Sequence, residues 1–428
     1  MKRILLSSVL AIVLIVAMVL GIQTFFDPGS GDAGVPVANV AQQIALGSYL
    51  VQAGDCMACH TKRGGVPFSG GRVIPTPFGK LYSPNLTPDP ATGLGSWTAN
   101  DFWRAMHNGK SRDGRFLYPA FPYTNYTKIT RADADAMFTY FRSLPAVHQP
   151  TIENELRFPY SQRILLAGWR ALYFRPGVYE SDQSHTADWN RGAYLVQGLG
   201  HCNACHTNRN TLGATEQNAD LAGGMIPILG WYAPSLTSDA EAGLGNWENQ
   251  HIVSLLKSGV SPRGTVFGPM AEVVSDSLQH LSGPDLDAMA VYLKSLPQTV
   301  LPPLSNEMEV ATDQSVAILT RGAQIYHDQC VPCHQKNGSG LPPAYPPLAG
   351  NRAISMQSSI NPIRMVLNGG YPPSSDTNPR PYGMPPFGPT LNDADVAAVV
   401  SYIRNSWGNR APMVSSVQVG RYRAVPID

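Results

Sequence analysis

This 428-residue sequence has little charge and no excess of either sign. Asp, Glu, Lys and Arg make up 14%, and 31 basic residues against 30 acidic ones leave a net charge of +1. No basic patch offers itself to nucleic acid, and no acidic run suggests a solvated tail. Spare cysteine is also missing. All six cysteines fall in three segments: Cys56-Met57-Ala58-Cys59-His60, Cys202-Asn203-Ala204-Cys205-His206 and Cys330-Val331-Pro332-Cys333-His334. None is left over for a disulfide. The 40 Gly and 37 Pro argue against large sheets and for short helices joined by long loops. Length alone sets a prior of about three domains, in agreement with the three segments.

The pattern C-x-x-C-H reads as a c-type haem attachment site. Its two thiols form thioethers to the haem vinyl groups, and the adjacent His supplies the proximal iron ligand. The expected covalent sites are Cys56, Cys59, Cys202, Cys205, Cys330 and Cys333, with His60, His206 and His334 on iron: three haem c groups and no catalytic residue. A zinc site needs four ligands, usually from two close C-x-x-C units. No second unit lies near any of these three.

At the N-terminus, Lys2 and Arg3 precede an apolar run from Ile4 to Phe26. It is longer than a signal peptide's apolar region of about 7–15 residues and close to the roughly 20 that span a bilayer. No A-x-A cleavage site follows, so the run reads as an uncleaved transmembrane signal anchor (1–26), with a cleaved signal peptide as the alternative. The positive-inside rule then leaves the N-terminus in the cytoplasm and sends the rest to the periplasmic side of a bacterial inner membrane.

The remaining chain reads as mainly α, with three tandem domains at 40–150, 184–298 and 312–408. Linkers fall near 27–40 and 297–306, an inter-domain segment at 151–183, and a tail at 409–428 without usable periodicity. The first two domains repeat each other. Ser83-Pro84-Asn85-Leu86-Thr87 and Gly93-Leu94-Gly95-Ser96-Trp97 recur as Ala233-Pro234-Ser235-Leu236-Thr237 and Gly243-Leu244-Gly245-Asn246-Trp247. Each domain closes on a helix opened by Asp133, Asp285 or Asp395, acidic residues that suit a helix N-terminus. The apolar residues of these helices are expected to cross the first helix. The stretch Ile164 to Phe174, within 157–177, is too short and too interrupted by Arg to span a bilayer. It reads as a helix packing domain one on domain two, or as a docking surface for a partner or a membrane face.

A sixth iron ligand is expected in the loop before each terminal helix, and Met there suits electron transfer. Met270, in Gly268-Pro269-Met270, and Met384, in Tyr382-Gly383-Met384-Pro385-Pro386, occupy that place. Domain one has Tyr118-Pro119-Ala120-Phe121-Pro122-Tyr123 instead, with no Met between Met106 and Met137. Met106, His107 and a five-coordinate iron stay open, and any of them should set haem one's potential apart.

With these motifs placed, the chain resembles the membrane-bound trihaem cytochrome c subunits of periplasmic dehydrogenases from acetic acid bacteria and other proteobacteria. Thr76-Pro77-Phe78-Gly79, the Ser83 to Pro88 run, the Tyr118 to Tyr123 loop, Gly268 to Glu272 and Ser406-Trp407-Gly408-Asn409 carry the likeness. The resemblance implies electron transfer from a catalytic dehydrogenase subunit, with a small iron–sulfur subunit, to ubiquinone. One branch serves quinoprotein alcohol or sugar dehydrogenases and normally has Met where this chain has Phe121. The other serves molybdopterin dehydrogenases that oxidise aldehydes or N-heterocycles. The loop around Phe121, Leu166-Ala167-Gly168-Trp169 and the Asp188 to Val196 run look more like the second, so the aldehyde dehydrogenase subunit is the preferred expectation. Competing classes are a stand-alone carrier without quinone contact and a haem enzyme using an open iron beside His107.

Overall fold

The computed structural model describes residues 2–26, 39–226, 228–239, 242–299 and 312–425. The chain is mainly helical, as predicted, and one crossing of two helices recurs three times. Val40–Ala53 crosses Arg131–Ser143, Ala187–Tyr194 crosses Gly283–Ser295, and Thr312–Gln329 crosses Asp393–Arg404. Glycine sits at each crossing. A Cβ on Gly47, Gly192 or Gly322 would lie 2.0, 2.0 or 2.2 Å from the carbonyl oxygen of Ala136, Ala288 or Ala398. No other residue lets the backbones approach so closely. The Cβ atoms of Tyr140, Tyr292 and Tyr402 flank the same three glycines.

The terminal helices start as the sequence suggests. The side chains of Thr130, Ser282 and Asn392 accept from the backbone N–H of Asp133, Asp285 and Asp395, a cap worth about 1 kcal/mol. In the third repeat, Ile325, Tyr326, Val366, Val396, Val400 and Ile403 form the core between these helices. Among the described residues strands are confined to short antiparallel pairings: Val73–Thr76 with Gly79–Tyr82 and then Glu155–Leu156, Gly224–Ile226 with Trp231–Ala233, and Val260–Ser261 with Gly264–Thr265.

The packing divides the chain into two compact units, Met1–Gln183 with Tyr194–His201, and Ser184–Ala193 with Cys202–Asp428. The second and third repeats thus share one unit. The segment 151–183 belongs to the first unit and packs there: the Leu166–Tyr173 helix buries Ala167 and Arg170, and Arg170 Nη1 donates to Asn108 O at 2.6 Å. The Gly/Pro-rich linker near 27–40 and the linker at 297–306 lie largely outside the described residues. The tail holds an unforeseen helix, Ser416–Arg423, opened by a reciprocal Ser415/Gln418 cap.

The N-terminal reading is corrected. Lys2–Phe25 is one helix of 24 residues, but among the described residues no helix is long and apolar enough to cross a membrane. This overturns the uncleaved anchor and the inner-membrane placement, with a cytoplasmic N-terminus, that rested on it. Ser7 and Ser8 at one end and Gln23 and Thr24 at the other bound an apolar stretch of residues 9–22. At 1.5 Å per residue it is about 21 Å long, short of a hydrocarbon core of roughly 30 Å. The polar end is tied into the first unit instead. Lys110 Nζ donates to Thr24 O and Arg170 Nε to Gln23 Oε1, both at 3.1 Å.

Candidate haem-binding sites

Each C-x-x-C-H segment lies on a single short turn of helix: Cys56–His60, Asn203–His206 with Cys202 as its cap, and Val331–His334 with Cys330 as its cap. Residues three apart on such a turn share a face, so each pair of thiols faces one way. The chain enters the first two turns through a left-handed residue, Asp55 at φ 49° and His201 at φ 38°. None of the six cysteines is in a disulfide, and each is at least partly exposed.

The imidazoles repeat a single bond. His60 Nδ1 lies 2.8 Å from Pro84 O, His206 Nδ1 2.7 Å from Pro234 O, and His334 Nδ1 3.1 Å from Pro346 O. A carbonyl only accepts, so Nδ1 carries the proton and Nε2 keeps its lone pair. Such a bond fixes both tautomer and ring orientation in a metal-ligating His. Burial lowers all three pKa values, that of His206 to about 4, so the rings are neutral and able to ligate near pH 7. Burial pushes the thiols the other way, Cys202 and Cys330 to about 12 and Cys56 above the ordinary range. Among the described residues no cluster of three or more His, Cys, Asp or Glu side chains is placed to hold a metal ion. A thiol pair beside an imidazole whose Nε2 keeps its lone pair is the donor set that haem c requires; the residues fit that group.

The three prolines explain a repetition that the sequence displayed without its purpose. Pro84 and Pro234 are the second residues of the recurring five-residue runs, and each run is braced internally. Thr87 N donates to Asn85 Oδ1 at 2.9 Å, and Thr237 N to Ser235 Oγ at 3.1 Å. Pro346, only 12 residues after its His, has the same role in the third repeat. The readable signal is a P-x-L run downstream of each C-x-x-C-H.

The sixth-ligand candidates are placed differently from one another. Met270 is the second residue of the Pro269–Asp276 helix and is half-buried. Met384 is pinned by paired backbone hydrogen bonds with Gly370 at 2.8 and 3.0 Å and packs on the third-repeat core. In the first repeat Phe121 lies 5.3 Å from the Tyr126 ring. Tyr126 donates to Gly54 O at 3.1 Å, two residues before Cys56. Burial, then the nearby Cys56 and Cys59, raises the Tyr126 hydroxyl well above its ordinary pKa. Met106 is buried in the Ala99–Asn108 helix. His107, also buried, uses Nδ1 on Thr127 O at 2.9 Å and stacks flat on Trp103, 4.4 Å between centroids and 12° between planes.

The run from Tyr194 to His201 was expected in the second domain, 184–298, and is placed in the first unit. It leads into Cys202, yet it packs in the first unit. Asn125 Nδ2 donates to Gln197 O at 2.7 Å, and the His201 ring meets Tyr126 edge-on at 5.6 Å. A Cβ on Gly54 would touch Cys56 Sγ at 3.4 Å and Leu199 Cδ2 at 3.5 Å. Leu195–Leu199 is a turn of π-helix, a form that often marks functional sites.

Comparison with known proteins agrees with this geometry. The cytochrome c family model matches residues 44–145 and 319–407. The chain is 38% identical to the cytochrome c subunit of alcohol dehydrogenase (quinone) from Gluconobacter oxydans, over 90% of this chain and 83% of that one. It is 38% identical to the gluconate 2-dehydrogenase cytochrome c subunit of Pantoea cypripedii, over 93% and 91%. It is also 40% identical to one of the subunits of nicotinate dehydrogenase from Pseudomonas putida, over 90% of this chain but 31% of that longer protein. Agreement across nearly the whole of two such subunits makes this chain a member of the family of cytochrome c subunits that transfer electrons for dehydrogenase complexes.

Proposed function

We propose that the chain is a trihaem relay that takes electrons from a catalytic dehydrogenase subunit and delivers them to ubiquinone. The observation that carries this reading is the threefold recurrence of a thiol pair, not joined in a disulfide, beside a histidine whose Nδ1 is held by a proline carbonyl. When bound, haem c supplies a one-electron iron couple whose potential follows its axial ligands and burial. The chain's residues do the rest. Cys56, Cys59, Cys202, Cys205, Cys330 and Cys333 anchor the groups, and His60, His206 and His334 present Nε2. Met270 and Met384 would supply the sixth iron ligand in their repeats. In the first repeat Met106 takes it. His107 is less suited, because its ring is held flat on Trp103.

For the catalytic partner we propose a molybdopterin aldehyde dehydrogenase with an iron–sulfur subunit, on the form of the Tyr118 to Tyr123 loop. A quinoprotein alcohol or sugar dehydrogenase is the second reading, favoured by the stated functions of relatives matched along most of their length. Purifying the intact complex and assaying its large subunit for molybdenum and for pyrroloquinoline quinone separates the two. Molybdenum with iron–sulfur supports the first; quinone cofactor moves the chain to the second. A chain that purifies alone with three haems overturns both and leaves a free carrier. Loss of ubiquinone reduction in the complex without this chain is the expected check on the acceptor.

A further inference from the structure

A cleft of about 360 Å³ opens in the second unit between the second and third repeats. Its walls hold three guanidinium groups: Arg263 from the second repeat, and Arg352 and Arg410 from the third. Among its described lining residues there is no Asp or Glu. Arg263 and Arg352 both pack on Trp247, 6.0 and 5.0 Å from the ring centroid. The indole is only 5% exposed, so it forms an apolar wall that strengthens any charge interaction beside it. Arg263 Nη2 donates to Asn246 O at 3.2 Å and Arg352 Nη1 to Ser235 O at 3.1 Å. Both partners are neutral carbonyls. Arg263 Nε is buried with no acceptor. Burial lowers the Arg352 pKa to about 10, so the group is still charged near pH 7.

Three like charges gathered against a buried aromatic wall, with no anion supplied by the described lining, are unfavourable by themselves. Guanidinium forks match carboxylate geometry, and bonds between ions are the strong ones. The cleft is far larger than one carboxylate, and its cations come from two repeats. We propose that it binds a small di- or tricarboxylate from solution, which bridges Arg263 to Arg352 and Arg410 and clamps the second repeat to the third. In the first repeat Asp113 stands 150 residues before Arg263 and is paired with Arg115 at 2.5 Å, while the neighbouring Arg112 donates to Ser96 Oγ.

The test is calorimetric titration of the haem-loaded chain with citrate in low-salt buffer. Binding is expected and should weaken with added salt. Arg263→Gln and Arg352→Gln should each reduce affinity about tenfold or more, since each removes a charge-assisted bond. The more exposed Arg410→Gln should cost about two- to threefold, and Arg115→Gln, in the other unit, nothing. Haem content and circular dichroism identify any variant that fails to fold. Arg263→Lys, which keeps the charge but loses the fork, should recover only part of the affinity. A flat titration, or affinity unchanged in both Arg→Gln variants, overturns the proposal. So does a variant that shifts a haem potential while the parent binds no citrate, which would assign these arginines to the haem's own carboxylates. That arm matters because Arg352 is close enough to act on His206.

Discussion

After its middle helix the first repeat continues into a four-residue helix, Tyr123–Tyr126, enclosed by aromatic rings. The second repeat continues at the same place into an eight-residue helix, Pro269–Asp276, with Met270 in its first turn. Tyr123 is fully buried; its ring meets Phe174 at 4.9 Å, with the Arg170 guanidinium 5.5 Å away. Met270 is only half-buried. Yet both repeats keep the same glycine crossing and the same His–carbonyl bond. The comparison teaches that this loop is free to change because it carries neither of the constraints that position the imidazole.

The largest effect should come from the shared part. Gly47→Ala, Gly192→Ala and Gly322→Ala each drive a Cβ into a backbone carbonyl, at about 3 kcal/mol or more, read from urea unfolding of the haem-loaded protein. Losses of similar size at all three would confirm a common scaffold. A cost below about 1 kcal/mol at one of them would show that its crossing can shift.

The loops should then separate the repeats by redox behaviour. Met270→Leu and Met384→Leu should each lower one haem potential by on the order of 0.1 V, within the roughly 0.8 V that axial ligation commands. As near volume-conserving swaps they should cost less than about 1.5 kcal/mol. Met106→Leu should lower a third, distinct potential, and His107→Gln none. Three equal potentials in the parent protein would erase the difference between the loops. Smaller again is Tyr126→Phe, which removes the bond to Gly54 O and should cost about 1 kcal/mol, with no parallel site to affect in the second repeat.

The smallest effect concerns acid. The Thr92 hydroxyl and backbone N–H, with that of Ala91, hold the Asp89 carboxyl below its usual pKa. A lowered folded pKa means stabilisation present above the ordinary carboxylate range of about 4 and lost as pH falls through the lowered value. Asp89→Asn should therefore flatten the stability profile below about pH 5. An unchanged acid limb would assign the acid sensitivity elsewhere.

The opening residues of the terminal helices and their crossing partners were legible because each depends on residue type at short spacing. The acceptors of the His bonds were not, because a carbonyl belongs to every residue; only the recurrence of Pro84 and Pro234 hinted at them. The Ser416–Arg423 helix was missed because it is eight residues long and buries only Val419, too little for a periodic pattern. The N-terminal reading failed by counting apolar residues across Gln23 and Thr24, whose polar groups meet Arg170 and Lys110. The sixth ligand of the first repeat was obscured because Phe121 replaced a chemical signal with a packing one.

The placement of Tyr194–His201 bears on how such a chain can be rearranged. A repeat that begins with its own helix looks like an exchangeable cassette, and a gene fusion would naturally be cut ahead of that helix. Here the cut removes Tyr194, which donates to Asp133 and accepts from Thr130 N at 3.1 Å, and it removes the backbone that holds Asn125. A chimera built that way damages the unit left behind. A junction ahead of that helix breaks the first unit, and one beyond residue 298 divides the second, so recombination among relatives should avoid both places.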